Sequence, residues 1–147
     1  MRNMTIRPDI RFYDTCSLLL AGESVFEKDE QFLVSSITFK ELERIKTSSN
    51  KDLDTKYSAR LLLRLFNEYP RKYITIIHTT SNEEWITEQE LDITDDTKIL
   101  SDAIAYDKKF RPDEVIFVTN DLALKNFANL YFGQDMIDSV SEETDTY

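Results

Sequence analysis

Four acidic residues lie at or near the ends of short apolar runs, where a strand would give way to a helix. They are Asp14, Glu41, Asp96 and Asp121. Open α/β sheets form their sites outside the carboxyl ends of their strands, so four separate segments can bring four carboxylates to one crevice. Crowded carboxylates repel one another unless a cation lies between them, and hard oxygen ligands select Mg²⁺ or Mn²⁺. The sequence therefore predicts a divalent-metal site.

Each of these acids also has a purely structural explanation. Asp and Glu are favoured in the first turn of a helix, where they accept backbone N–H bonds. Thr38 to Glu41 has the pattern of a capping box, Asp96 lies in a predicted first turn, and Asp121 can cap the helix that follows it. Asp14 is the hardest to explain as a cap because it follows the first strand directly. Convergence of all four in space would distinguish a site from four caps.

Strands alternate with helices along the chain, which predicts βαβ units and a mostly parallel sheet with helices on both faces. The fold class is therefore α/β, a three-layer α/β/α sandwich. Residues 79–91 are predicted to be a polar, acidic connection. The strands are predicted at 10–13, 31–36, 73–77 and 114–118, and the main helices start at Thr38, Leu53, Thr94 or Asp95, and Asp121, with Gly133 stopping the last.

The 147-residue chain has the length of one domain, predicted at 1–140 and followed by an acidic tail at 141–147 that we expect to be disordered. A single cysteine excludes an internal disulfide, and two glycines argue against a glycine-rich phosphate loop. No apolar run approaches the length of a membrane span, and we expect a cytoplasmic protein with no membrane partner.

The net charge of −10 is unevenly distributed. Between Lys40 and Lys72 there are nine basic and five acidic residues, a local charge of +4. A basic segment beside an acidic pocket suits a polyanion that is held by its backbone. Solvated helix faces remain the alternative for each residue taken singly. The candidates for phosphate contacts include Arg44, Lys46, Lys56 and Arg60.

Five segments in order resemble the successive motifs of PIN domains. They are Phe12 to Thr15, Phe39 to Lys46, Ala59-Arg60, Asp96 to Leu100, and Val118 to Asp121. The resemblance runs from about Ile10 to Ile137 and is closest to the PIN module found fused to PhoH-type ATPases. It implies a metal-dependent nuclease that acts on RNA.

The resemblance also implies roles for individual residues. Asp14, Glu41, Asp96 and Asp121 would be the catalytic metal ligands, binding Mg²⁺ or Mn²⁺. Thr15 and Thr119 would lie near the metal water or the phosphate, and Asn120 fits the Thr-Asn-Asp pattern. The usual Asp-Thr-Asn is here Asp14-Thr15-Cys16, and Asp95 and Asp102 are close enough in sequence to compete with Asp96.

The remaining residues leave other functions open. Metal-assisted hydrolysis needs no histidine base, so His78 is interpreted as structural and Cys16 as a small buried side chain. A catalytically silent PIN-like module, or the partner of another protein in a toxin pair, is the main alternative. A receiver or aspartyl phosphatase is a third, weakened because Asp14 has no second Asp two residues later. Homodimerisation is common for domains of this size.

Overall fold

The central sheet of the computed structural model, which describes residues 9–141, is entirely parallel. Its strand order is β3-β2-β1-β4-β5. The order reverses beside β1, the point at which sheets of this kind open a crevice beyond their strand ends. The predicted parallel α/β sheet is therefore confirmed. The strands are β1 (Ile10–Tyr13), β2 (Phe32–Ser35), β3 (Tyr73–Ile76), β4 (Val115–Val118) and β5 (Ile137–Asp138).

Helices cover both faces of the sheet. They are α1 (Thr15–Ala21), α2 (Ser24–Glu27), α3 (Ser36–Thr47), α4 (Leu53–Glu68), α5 (Thr80–Glu88), α6 (Asp95–Phe110) and α7 (Leu122–Ala128), with a short 3-10 helix at Gln134–Met136. Successive strand residues point to opposite faces. Phe12 and Phe117 accordingly lie in one apolar core with α6 and α7, whereas Tyr13 and Val118 lie in a second core with α1 and α4. These two cores confirm the three-layer sandwich.

Several elements differ from the sequence prediction, among them α5 and β5. Residues 80–88 form α5 rather than a polar connection, because Thr79 caps the helix and Ile86 buries its side chain completely. The two-residue strand β5 was not predicted. It pairs with β4 through Phe117 and Val118 and is too short to show an alternating pattern.

The start of α3 also differs from the prediction. The helix begins at Ser36, and its cap is Ser35, whose hydroxyl accepts a bond from the Ile37 N–H at 3.0 Å. The predicted capping box from Thr38 to Glu41 is therefore wrong. Glu41 lies in the second turn of α3, so its acidic side chain is not explained by helix capping.

The last predicted helix, α7, ends at Ala128, before Gly133. Within residues 9–141, none of the helices combines the length and the apolar character needed to cross a bilayer. Apart from Ser141, the tail predicted at 141–147 lies outside the described residues.

Candidate active site

Asp14 lies where β1 ends, and its carboxylate is held by two donors. One oxygen accepts the Ser17 N–H at 2.8 Å, which caps α1, and the other accepts the Thr119 hydroxyl at 2.6 Å. The Thr119 hydroxyl in turn accepts the Asp121 N–H at 3.0 Å. Asp14 is only 1% exposed. The ends of β1 and β4 are thus joined through this one acid.

Glu41 is brought to the same edge by a contact between α1 and α3. The Thr15 hydroxyl donates to the Glu41 carboxylate and lies 2.9 Å from the hydroxyl of Thr38. Thr15 and Thr38 are both buried. The hydroxyl of Thr15, which was expected near the metal water or the phosphate, therefore lies next to Glu41, a candidate metal ligand.

Asp96 and Asp121 each lie at the start of a helix and line the same cleft. Asp121 caps α7 by accepting the Leu124 N–H at 3.0 Å. Helix α6 is capped instead by Thr94 and Thr97, so Asp96 is not needed as a cap. Among residues 9–141, no donor bonds to the Asp96 carboxylate.

The four acids all lie close enough to Cys16 to affect its thiol. Burial and, after it, the negative charges of four acids together raise the pKa of the Cys16 thiol to about 11; the acids are Asp14, Asp96, Glu41 and Asp121. Cys16 itself is exposed, so its interpretation as a buried side chain was wrong. Its thiol stays protonated at neutral pH and is a poor nucleophile.

The acids also perturb each other directly. Burial raises the pKa of Asp14, and the charge of Asp121 raises it further. Burial raises the pKa of Glu41 as well, with smaller contributions from Asp95 and Asp96. The pKa of Asp96 is raised by burial and then by its acidic neighbours, with no group that lowers it. Ionising these carboxylates together costs free energy that a nearby cation would offset.

The structure tests whether these residues fit a metal ion. In the part of the chain that the structure describes, no group of three or more His, Cys, Asp or Glu side chains is arranged so that it could hold one. The chemistry of the donor set nevertheless fits a hard divalent cation, because every candidate ligand is a carboxylate oxygen. Binding an ion would require side-chain rotation, for which Asp96, without a bonded donor among residues 9–141, is available.

The two competitors of Asp96 have different surroundings. Asp95 is close to the cluster but is paired with Arg44 at 2.9 Å. Asp102 is fully buried and accepts the Ser35 hydroxyl at 2.6 Å and the Asn82 amide at 2.8 Å. It also contacts His78 Nδ1 at 2.6 Å. His78 is therefore a bonded structural residue, as predicted, and Asp102 belongs to a separate network that the sequence did not reveal.

The remaining predicted residues lie around the cluster. Asn120 is exposed, and its amide exchanges two hydrogen bonds with the backbone of Val140, at 2.8 and 3.0 Å. Lys46 is paired with Glu43 at 3.0 Å. Lys56 is half-buried and Arg60 exposed on α4. Among residues 9–141, neither Lys56 nor Arg60 forms an ion pair.

A model of the PIN domain matches residues 12–131, which is most of the chain. The chain belongs to the PIN domain family. The match spans all four acids and supports a nuclease-type fold with a nucleic-acid substrate, and PIN nucleases typically use divalent metal ions. No curated protein matches this PIN domain.

Proposed function

We propose that this PIN domain is a ribonuclease that hydrolyses phosphodiester bonds with Mg²⁺ or Mn²⁺. The ligands in this proposal are Asp14, Glu41, Asp96 and Asp121. The observation that carries it is the convergence of four segments of the chain, each of which brings a carboxylate near Cys16, where their charges add. A protein that used these acids only as helix caps would have no reason to collect them at one strand edge.

A bound divalent ion would lower the pKa of a coordinated water and neutralise charge on the leaving oxygen. The chain's own residues supply the positioning. Thr119 and the Ser17 N–H fix both oxygens of Asp14, and Thr15 orients Glu41. Asp96 is the acid with the freedom to turn, so it would complete the ligand set when an ion arrives.

The substrate in this proposal is single-stranded or structured RNA. Lys56 and Arg60 on α4 are the best candidates for phosphate contacts, because Arg44 and Lys46 already have acidic partners. Phosphate contacts make affinity fall as salt rises, with a slope of about −0.7 per contact on a single strand. Replacing both residues should therefore weaken RNA binding and flatten its salt dependence.

Three finer points belong to the same proposal. The relationship to the PIN module of PhoH-type ATPases rests on the motifs quoted above. The cytoplasm is the compartment that we propose, since RNA is present there and the single thiol of Cys16 stays reduced. A homodimer is proposed from domain size alone.

The decisive experiment is Asp14→Asn, assayed for cleavage of a labelled RNA with Mn²⁺. The amide keeps the shape and can still cap α1, but it loses the charge that binds the ion. We expect activity to fall by more than about 100-fold, since even the residues that only orient a metal ligand are worth about 10- to 100-fold. Asp113→Asn is the matched control, since Asp113 is exposed and precedes β4 at the opposite edge of the sheet. Unchanged cleavage by Asp14→Asn would disprove the assignment.

A catalytically silent binding module, or one member of a toxin pair, is the second candidate. It is favoured by one observation, the lack of three side chains placed to hold a metal within residues 9–141. Calorimetry with Mn²⁺ separates the candidates. Measurable binding that Asp14→Asn removes supports the nuclease, whereas the absence of binding supports the silent module.

A further inference from the structure

We propose that the cleft between residues 91–97 and α7 binds one nucleobase and prefers bases that carry an exocyclic amino group. The inference rests on the proposed ribonuclease function and adds a specificity site to it. The cleft has a volume of about 180 Å³. Among the residues that line it are Leu91, Asp92, Asp96, Asp121, Leu124 and Phe127.

Part of the cleft wall is apolar. It is formed by Leu91 and by Leu124 and Phe127 of α7. Phe127 is 38% exposed, so part of its ring is open to a ligand. Bases that are unpaired in RNA are commonly bound by stacking on aromatic rings. The wall therefore suits a flat, apolar face of the size of a base.

The acidic part of the cleft wall presents acceptors. Asp92 is exposed, and within residues 9–141 its carboxylate makes no hydrogen bond, since only its backbone carbonyl accepts, from Thr97. A carboxylate accepts hydrogen bonds and, when ionised, donates none. Cytosine offers an N4 amino donor, and the pairing of Asp or Glu with that group is a standard mode of base recognition. Uracil presents a carbonyl acceptor at the same position, which an acidic wall disfavours.

The position of the cleft also favours a base as its occupant. Asp96 and Asp121 line the cleft and belong to the proposed metal-binding cluster, so a nucleotide bound here would have its phosphate beside the cluster. A bare phosphate would be repelled by Asp92, Asp96 and Asp121. A neutral planar group with donors, attached to a phosphate outside the cleft, satisfies both requirements.

The experiment is an NMR titration of the metal-free protein with cytidine and with uridine. Nucleosides lack a phosphate, so their binding does not depend on the proposed metal. We expect shifts at Leu124 and Phe127 and an affinity for cytidine on the order of 3- to 10-fold higher, the value of about one hydrogen bond. Equal shifts with both nucleosides, or none at these residues, would overturn the proposal.

Two variants and one control test the walls separately. Asp92→Asn alters an exposed side chain, so the fold is preserved, and it should remove the preference for cytidine. Phe127→Ala should weaken both nucleosides. Phe110→Ala is the control, since Phe110 is 58% exposed and lies roughly 20 Å from Asp96 at the other end of α6. Nucleoside affinities that match the unaltered protein in both wall variants would contradict the proposal.

Two further outcomes keep this inference distinct from the proposed function. Cytidine binding by a protein that cleaves no RNA would support the base site while the ribonuclease proposal fails. Cleavage of RNA with no preference between cytosine and uracil next to the scissile bond would do the reverse. Shifts at Phe127 with N-acetylarginine amide but not with cytidine would identify a cationic protein side chain as the occupant and overturn the inference.

Discussion

Asp14 and Asp102 are both buried acids close to the carboxyl ends of strands, but their neighbours differ in kind. Burial raises the pKa of each. At Asp102, hydrogen bonds from Ser35, Asn82 and His78 all act against that increase, and so does the charge of His78. At Asp14, hydrogen bonds from two neighbours oppose the increase, while the like charge of Asp121 adds to it. The first carboxylate is satisfied by protein, whereas the second retains repulsion that a proton or an added cation would relieve.

The Asp102 network joins three elements and the segment after β3. Ser35 ends β2, His78 lies between β3 and α5, Asn82 belongs to α5, and Asp102 itself lies on α6. His78 Nε2 also lies 3.1 Å from Glu83. With both acids ionised, the two contacts of His78 are hydrogen bonds only when the imidazole carries both protons. The network thus fixes α6, the helix that presents Asp96, without taking part in the acidic cluster.

The largest effect should come from breaking this network. Asp102→Ala removes the acceptor shared by Ser35, Asn82 and His78 and leaves three buried or half-buried donors without a partner. We expect the free energy of unfolding to fall by about 3–5 kcal/mol, the usual cost of removing one member of a buried pair. Urea denaturation followed by circular dichroism measures it.

Glu68→Ala is the control for this comparison, because it removes an exposed acid at the end of α4 and should change stability little. A similar small loss for Asp102→Ala would mean that the buried contacts do not hold the elements together. Asp102 could then no longer be contrasted with Asp14 as an acid whose contacts stabilise the fold.

The next largest effect concerns Asp14 and the stabilisation of the fold by a bound cation. Mn²⁺ at 100 times its dissociation constant should raise the free energy of unfolding by about 2.7 kcal/mol, since it binds only the folded chain. Asp14→Asn should lose most of this gain, and Asp113→Asn should retain it. Thermal unfolding with and without Mn²⁺ gives the values. Equal stabilisation of both variants would place the ion elsewhere.

The predicted elements are specified by local sequence patterns, whereas the elements that were missed are specified by contacts with distant parts of the chain. Some elements are marked by local features that can be recognised in the sequence. These features are the apolar runs of β1 and β4 and the capping residues Thr94 and Asp121. The strand β5 is defined by its pairing with β4, which no local pattern encodes. Helix α5 has a largely polar sequence and is specified by burial of Ile86 and packing of Trp85 against the core.

The same distinction applies to the site. The four acids were proposed because each was predicted to lie beside a strand or helix end, and parallel strands bring such ends to one edge, although Glu41 lies in the second turn of α3. The Asp102 network was missed because its members are 67 and 24 residues apart in the pairs Ser35–Asp102 and His78–Asp102. A polar residue on the apolar side of α6 was its only local signal.

The smallest effect tests the repulsion itself. Asp95 and Asp96 occupy the same first turn of α6, so replacing either by Asn removes a similar interaction with the helix dipole. Asp95 is paired with Arg44, whereas Asp96 faces only like charges. In metal-free protein at neutral pH, we therefore expect Asp96→Asn to be more stable than Asp95→Asn, by less than about 1 kcal/mol because both side chains are partly solvated.

The pH dependence of this difference gives its sign an independent check. The pKa of Asp96 is raised above its ordinary value of 3.8, so below that value the acid is neutral in both folded and unfolded chains and costs nothing. As pH rises through the folded pKa, the charge forms at the expense of folded-state stability. The advantage of Asp96→Asn over the unaltered protein should thus be absent near pH 3 and grow toward neutral pH. An advantage that is constant with pH, or larger in Asp95→Asn, would mean that Asp96 is not among repelling carboxylates, and the case for a cation at this edge would fail with it.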